Sequence, residues 1–383
     1  MPARIAFASI HDPDDISKWS GTFYSMYHGM KRSGLEVDKI APLSAPGAEL
    51  LGKVRTAINR RVLGREYDRY REPGLLTSLA QQIAKAVRGR DYQLVFAPSS
   101  LPVAKLEVAQ PKAFWTDSTF AGMLGFYTEF TNLSPANERW GHAMERSSLA
   151  GAALAVYSSE WATASAQRSY GADPDKLMVA PFGPNLDDTL APDEVARVIA
   201  GRRLDRCVRL LFLGVDWRRK GGDVADAVAA ELTRRGIPVE LLVVGCEPPP
   251  GPQPAYRRPL GFISKRSAEG RRRLRELLVG SHFLILPTIA DCTPCVFSEA
   301  NAFALPVLTT AVGGIPSVIR DGVNGRLFAL GADPARYADV IAAYRDNPAS
   351  YRALATGAYD EFATRLNWPT AIARVVKRMK ELF

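Results

Sequence analysis

Residues 284–316, LILPTIADCTPCVFSEANAFALPVLTTAVGGIP, constrain the fold more than any other stretch. A short apolar run, Leu284 to Leu286, stops at Pro287 and reads as a buried strand entering a loop. The loop carries Asp291, Cys292, Thr293, Pro294 and Cys295. A helical run, Phe297 to Ala304, follows with Glu299 near its start. Pro306 ends that helix, because proline removes a backbone donor and clashes with the preceding turn. Val307-Leu308-Thr309 then reads as a second buried strand, and Gly313-Gly314 as a turn able to face backbone amides toward a ligand. Strand, loop, helix and strand make a βαβ unit of an α/β parallel sheet. Such sheets bind ligands at the carboxyl ends of their strands, where Asp291 and Glu299 fall with seven residues between them.

The same grammar runs through the rest of the chain. Arg4 to Ile10 reads as a first strand, Thr22 to Ser33 as a helix, and Glu36 to Ile40 as a second strand, with Gly21 at the loop-to-helix corner. Glycine there lets a ligand approach the backbone at a helix N-terminus. No GxGxxG occurs, which argues against a dinucleotide site at this loop. Residues 53–71 are arginine-rich and helical in pattern. The favoured reading turns Val54, Ile58, Val62 and Tyr67 inward and leaves the arginines in water. The functional alternative is a patch for anionic lipid or an anionic acceptor. Tyr92 to Ala97, Lys112 to Trp115 and Ala152 to Tyr157 are further strands. Asp117, just past one of them, is a ligand group or an N-cap for the next helix.

After the turn-rich Pro181–Asn185 the pattern restarts, so the domain boundary is placed at 187. Val208 to Leu213 is a clean strand ended by Gly214. The basic turn Asp216 to Gly222 leads into a helix from Val224 to Arg235, and its cations beside free backbone amides suit phosphate oxygens. Val239 to Gly245, Leu260 to Ile263 and a helix from Arg271 to Val279 precede the opening stretch. A last amphipathic helix spans Ala371 to Phe383.

At 383 residues, two domains with full cores are expected. A composition 47% hydrophobic and 23% charged excludes wholesale disorder. The formal charge of +9 points to anionic ligands, nucleic acid or an acidic membrane surface, or to no more than solvated basic faces. No apolar run reaches the roughly 20 residues of a membrane span. Four cysteines in so long a chain suit a reducing compartment. These features predict a cytoplasmic chain, at most peripheral at an inner membrane face.

These motifs together resemble the retaining glycosyltransferases of family four, also known as glycosyl transferases group 1. Gly214 with Lys220-Gly221, then Gly261-Phe262-Ile263, the Asp291 and Glu299 pair, and the run from Pro306 to Gly314 with Asp321-Gly322 and Asn324-Gly325 occur in that family's order. Gly21, the Ser158 region and Phe182-Gly183 agree more weakly. The resemblance implies a GT-B fold: two Rossmann-like doubly wound domains facing across a cleft, 1–187 on the acceptor side and 188–366 on the donor side. Residues 367–383 would form a helix returning to the first domain. It implies transfer of a sugar, with retention, from a nucleoside-diphosphate sugar to a glycan, lipid-linked or small-molecule acceptor, with UDP favoured over GDP. Neither metal nor cofactor is implied.

By the same resemblance, Lys220 and Arg219 neutralise the leaving diphosphate, and Thr293 with nearby amides receives it. Glu299 holds the ribose hydroxyls, Phe262 and Ile263 border the base, and Asp291 contacts the donor sugar and its developing charge. Gly21 closes on the diphosphate from the first domain. The sequence departs from the pattern in three places. Asp291 stands where glutamate is usual, Val215 where arginine often follows the strand glycine, and Asp117 where a histidine is frequent. Other readings are an epimerase or phosphorylase of the same fold, a thiol or zinc role for Cys292-Thr293-Pro294-Cys295, and a basic nucleic-acid-binding protein. The thiol reading lacks a delimited thioredoxin-like unit, the zinc reading lacks two further ligands, and the nucleic-acid reading lacks a recognition motif.

Overall fold

The structure is a computed structural model describing residues 3–186 and 188–383. The chain forms two compact units. One runs to Pro181 and takes up Trp368–Phe383; the other is Phe182–Asn367. Residue 187, the boundary expected from the sequence, lies outside the described residues. The second unit already begins at Phe182, because the turn after it is tied to the helix Cys295–Asn301. Ser298 Oγ donates to Phe182 O at 2.9 Å, and Asn185 N donates to Glu299 Oε1 at 3.3 Å.

The first unit is built on β1 (Arg4–Ala8), β2 (Glu36–Ile40), β3 (Leu94–Ala97), β4 (Lys112–Thr116), β5 (Leu154–Tyr157) and β6 (Leu177–Val179). They pair in the order β2-β1-β3-β4-β5-β6, all parallel. β3 and β5 are buried at every residue, as unbroken apolar runs in a parallel sheet should be. Both begin two residues later than the sequence pattern suggests. The direction of strand addition reverses between β1 and β3, so the loop bearing Gly21 leaves the sheet at a topological switch point. Helix Trp368–Lys380 packs into this unit. Ile372 lies against Gly29, Trp368 meets Trp115 edge-on at 5.7 Å, and Arg374 and Arg378 donate to Val179 O and Asp175 O at 3.2 and 2.8 Å.

One expectation for this unit is overturned. The arginine-rich helix runs Pro46–Val62, and Val54, Ile58 and Val62 point outward, not into the core. Its inner side is made of small and polar residues: Gly52, against which the Arg69 side chain packs, and Thr56 and Asn59, which bond back to the helix's own carbonyls at 2.8 Å. Arg55 reaches Glu72 at 2.8 Å. Tyr67, beyond the helix, is buried as expected.

The second unit contains β7 (Val208–Leu213), β8 (Val239–Val244), β9 (Arg257–Pro259), β10 (Phe283–Leu286), β11 (Val307–Thr310) and β12 (Gly325–Phe328). Their order, β12-β11-β10-β7-β8-β9, is the doubly wound arrangement with its switch point between β7 and β10. The third strand is Arg257–Pro259, just before the Leu260–Ile263 segment at which the sequence pattern starts a further unit. The helix expected over 297–304 is Cys295–Asn301. Asn301 Nδ2 donates to Leu305 O at 3.3 Å, and Ala304 takes a left-handed φ of 52°, so the chain turns before Pro306 is reached. Among the described residues no helix is long and apolar enough to cross a membrane.

His282 extends the seam between β7 and β10. Its backbone N donates to Arg209 O and its ring Nδ1 accepts from Arg209 N, both at 2.9 Å, while Tyr351 donates to its carbonyl at 2.8 Å. Burial, with Arg202 and Arg209 alongside, pushes the His282 pKa down to about 4. The unfolded chain takes up that proton near 6.5, so between the two values it binds more protons than the folded chain, and stability falls as pH drops. The loss should reach about 3 kcal/mol by pH 4. Urea titrations across this range should show it, and His282→Asn should flatten the dependence.

Candidate active site

The turn after β7 is shaped by its own side chains. Trp217 is buried against Phe212, with ring centroids 5.4 Å apart, and its Nε1 donates to Asp223 Oδ1 at 2.7 Å. Asp216 Oδ1 accepts from Arg219 N at 3.0 Å, closing the loop. Gly221 has φ 79°, and a Cβ there would sit 2.0 Å from Pro287 O, so only glycine allows this turn to lie on the loop after β10. Arg219 O then accepts from Thr288 Oγ1 at 2.8 Å and from Ile289 N at 2.9 Å. The two loops flanking the switch point are thus bonded to each other.

That bonding brings three sequence-chosen residues together. Lys220 Nζ contacts Asp291 Oδ2, and Arg219 Nη1 lies 3.4 Å from the same oxygen while donating to Ala290 O at 3.0 Å. The Lys220 and Asp291 side chains are only 11% and 10% exposed, so the pair is largely desolvated. Gly214 abuts the Lys220 stem: a Cβ there would approach Lys220 Cγ to 3.0 Å. Val215, where the family pattern has arginine, points into solvent, and Arg219 supplies the second cation.

Glu299 is buried, eight positions further on, in the helix Cys295–Asn301. Its Oε1 accepts from Lys265 Nζ at 2.5 Å and from Asn185 N at 3.3 Å. Lys265, the partner of Glu299, is the candidate site residue that sequence reasoning missed. The available signal was its position, immediately after Gly261-Phe262-Ile263-Ser264. Phe262 is 75% exposed and Ile263 packs on the core. Their segment is anchored by Gly245 N donating to Gly261 O at 3.0 Å. Thr293 is buried two positions before the helix. Cys292 and Cys295 are not joined to each other, and among the described residues no three His, Cys, Asp or Glu side chains gather as a metal site would require.

The first unit holds the other two candidates. Gly21 has φ 91° and opens the helix Thr22–Arg32, preceded by Trp19 and Ser20, both also at positive φ (45° and 56°). Two non-glycine residues in that region mark a strained loop, a feature concentrated at ligand sites. Asp117 follows β4, one strand away from the switch point. It is not the helix cap considered above: Thr119 Oγ1 accepts from Gly122 N at 3.0 Å and performs that task.

A cavity of about 760 Å³ opens at the opposite, amino-terminal edge of β7 and β10, lined by Arg203, Arg206, Arg209, Arg272 and Arg275 among others. Most of these are already matched, Arg275 with Glu194 at 3.0 Å, Arg272 with Glu276 at 2.6 Å and Arg209 with Glu240 at 3.0 Å. The candidate site residues lie at the carboxyl edge instead.

Comparison with known proteins bears on this arrangement. Residues 207–347 match the family model Glycosyl transferases group 1, which covers the turn after β7, Lys265 and the Asp291 and Glu299 pair. A D-inositol 3-phosphate glycosyltransferase of Catenulispora acidiphila is 31% identical over 220 residues, 54% of this chain and 52% of that protein. The chain therefore spans about half the length of the curated relatives it matches. Among solved structures, a sucrose-phosphate synthase of Thermosynechococcus elongatus aligns with 100% of this chain and 99% of its own, at TM-score 0.70 and 16% identity. Anabaena Alr3699/HepE, in complex with UDP-glucose, aligns over 99% of both chains at TM-score 0.62 and 14% identity. Residues 207–347 are thus similar to the glycosyl transferases group 1 family, and the fold is the GT-B fold of these solved structures.

Proposed function

We propose that this chain is a retaining, metal-independent glycosyltransferase that takes its sugar from a nucleoside-diphosphate donor, with UDP the favoured carrier. The observation that carries the reading is the convergence of Lys220 and Arg219 on Asp291 at the switch point of the second sheet, with Glu299 on the following helix and its partner Lys265 reaching it from the loop after β9. Two cations from one turn suit the diphosphate, whose charge grows as the glycosidic bond breaks. Asp291 then faces the positive charge developing at the anomeric carbon. Glu299, a buried carboxylate oriented by Lys265 and Asn185, suits the paired hydroxyls of a ribose. UDP-glucose in the structure of Alr3699/HepE supports the choice of uridine. The D-inositol 3-phosphate glycosyltransferases to which the chain is similar make a phosphorylated polyol the first acceptor to try.

Titration calorimetry with UDP and UDP-sugars, coupled to an assay for transfer, tests the assignment. Glu299→Ala and Lys220→Ala should each weaken donor binding by about 100-fold or more, with folding verified by circular dichroism. Asp291→Asn should lower kcat more than donor affinity. Full transfer by both alanine variants would remove the site from these residues, and isomerised sugar in place of transferred sugar would identify an epimerase.

Lys265 makes a separate prediction as a positioning residue. Lys265→Ala should raise the donor Kd by about tenfold, the worth of one hydrogen bond to a charged group, while kcat is unchanged. Lys265→Arg should recover part of that affinity. A kcat loss without a change in Kd would place Lys265 at the reacting atoms instead.

A further inference from the structure

The helix Pro46–Val62 is amphipathic in the reverse sense. Its inner side carries Gly52, Thr56 and Asn59, whereas Leu50, Leu51, Val54, Ile58 and Val62 are exposed, Leu50 at 64% and Val62 at 74%. At 100° per residue these five side chains form one continuous stripe, and Leu63 lies just beyond its end, also exposed. Scattered apolar side chains on a surface are ordinary, but a contiguous stripe along four turns marks an interaction face.

Its charge selects the occupant. Arg61 rises from within the stripe and Lys53 flanks it; both are exposed, and neither has an acidic partner among the described residues. Arg60, on the same flank, reaches Glu66 at 2.6 Å. Over 46–65 the sequence has five cations, Lys53, Arg55, Arg60, Arg61 and Arg65, against the single acid Glu49. A second copy packed on this face by a two-fold axis would bring Arg61 and Lys53 toward their own counterparts. An anionic phospholipid surface instead neutralises them, while their aliphatic stems and the stripe sink to the headgroup–acyl boundary.

We propose that the helix Pro46–Val62 is a peripheral membrane-docking element that lies in the plane of an anionic lipid surface. Leu50, Val54, Ile58 and Val62 enter the apolar boundary, and Lys53 and Arg61 reach phosphate groups. Cations next to an anionic leaflet each contribute measurably, and their effect is screened by salt.

Flotation of the full chain with phosphatidylcholine vesicles, with and without phosphatidylglycerol, reads this directly. Binding is expected only with phosphatidylglycerol and should decline as salt rises. Lys53→Ala with Arg61→Ala should reduce it about tenfold or more. Val54→Ser with Ile58→Ser keeps the charge and, being exposed, should leave the thermal midpoint unchanged, yet should abolish flotation. If the serine variant floats like the parent, adsorption is by diffuse positive charge and the docking element is wrong. The proposal also fails if the chain ignores anionic vesicles, or if sedimentation velocity finds a dimer that Ile58→Ser dissolves.

Discussion

The contact between Lys220 and Asp291 spans the seam where the second sheet changes direction. In a doubly wound sheet the loops on either side of that seam run to opposite faces, so they diverge unless something holds them. Here Gly221 against Pro287, two hydrogen bonds to Arg219 O and the buried ion pair hold them. The pair is not an efficient source of stability, because removing two charges from water costs about as much as their attraction returns. Its value lies in presenting an oriented carboxylate and an oriented ammonium at one edge of a rigid sheet.

The charge distribution follows from that arrangement. Arg219, Lys220 and Lys265 face Asp291 and Glu299, which leaves one net positive charge among them. Under the proposed function a diphosphate brought to this edge would compete with Asp291 for Lys220, so donor binding and the freeing of Asp291 would be one event. Arg219 is suited to holding the loop meanwhile, because its bond to Ala290 O does not depend on the carboxylate. Glu299 keeps a cation of its own and is not drawn into that exchange.

Much of this was legible in the order of residues. Parallel strands buried on both faces leave continuous apolar runs, and glycine, proline and charged residues concentrate where those runs end, so the two sheets, the loops bearing Lys220 and Asp291 and the helix bearing Glu299 could be placed. What periodicity does not carry is the identity of side chains that meet across sequence. Lys265 is 34 positions from Glu299 and lies in a loop with no regular pattern, so its contact arises only once β9 and β10 are assembled around the core. The turn at Phe182 was likewise read as a domain exit. Its carbonyl is claimed by Ser298, 116 positions later, and that bond moves the turn into the second unit.

The helix Pro46–Val62 exposes a different limit. A repeat of three and four residues states that one face differs from the other, and the assumption that apolar means inward supplies the direction. That assumption fails when the opposite face can pack as well as the apolar one. Gly52, Thr56 and Asn59 do so: glycine admits a close neighbour, and the two polar side chains satisfy themselves on carbonyls one turn back, so burying them leaves no orphaned group. With that face seated and Arg55 tied to Glu72, the valine and isoleucine have only the outer side left to occupy. The small self-satisfied residues were therefore the informative signal, and the arginines between the apolar positions are what makes the outward stripe tolerable in water.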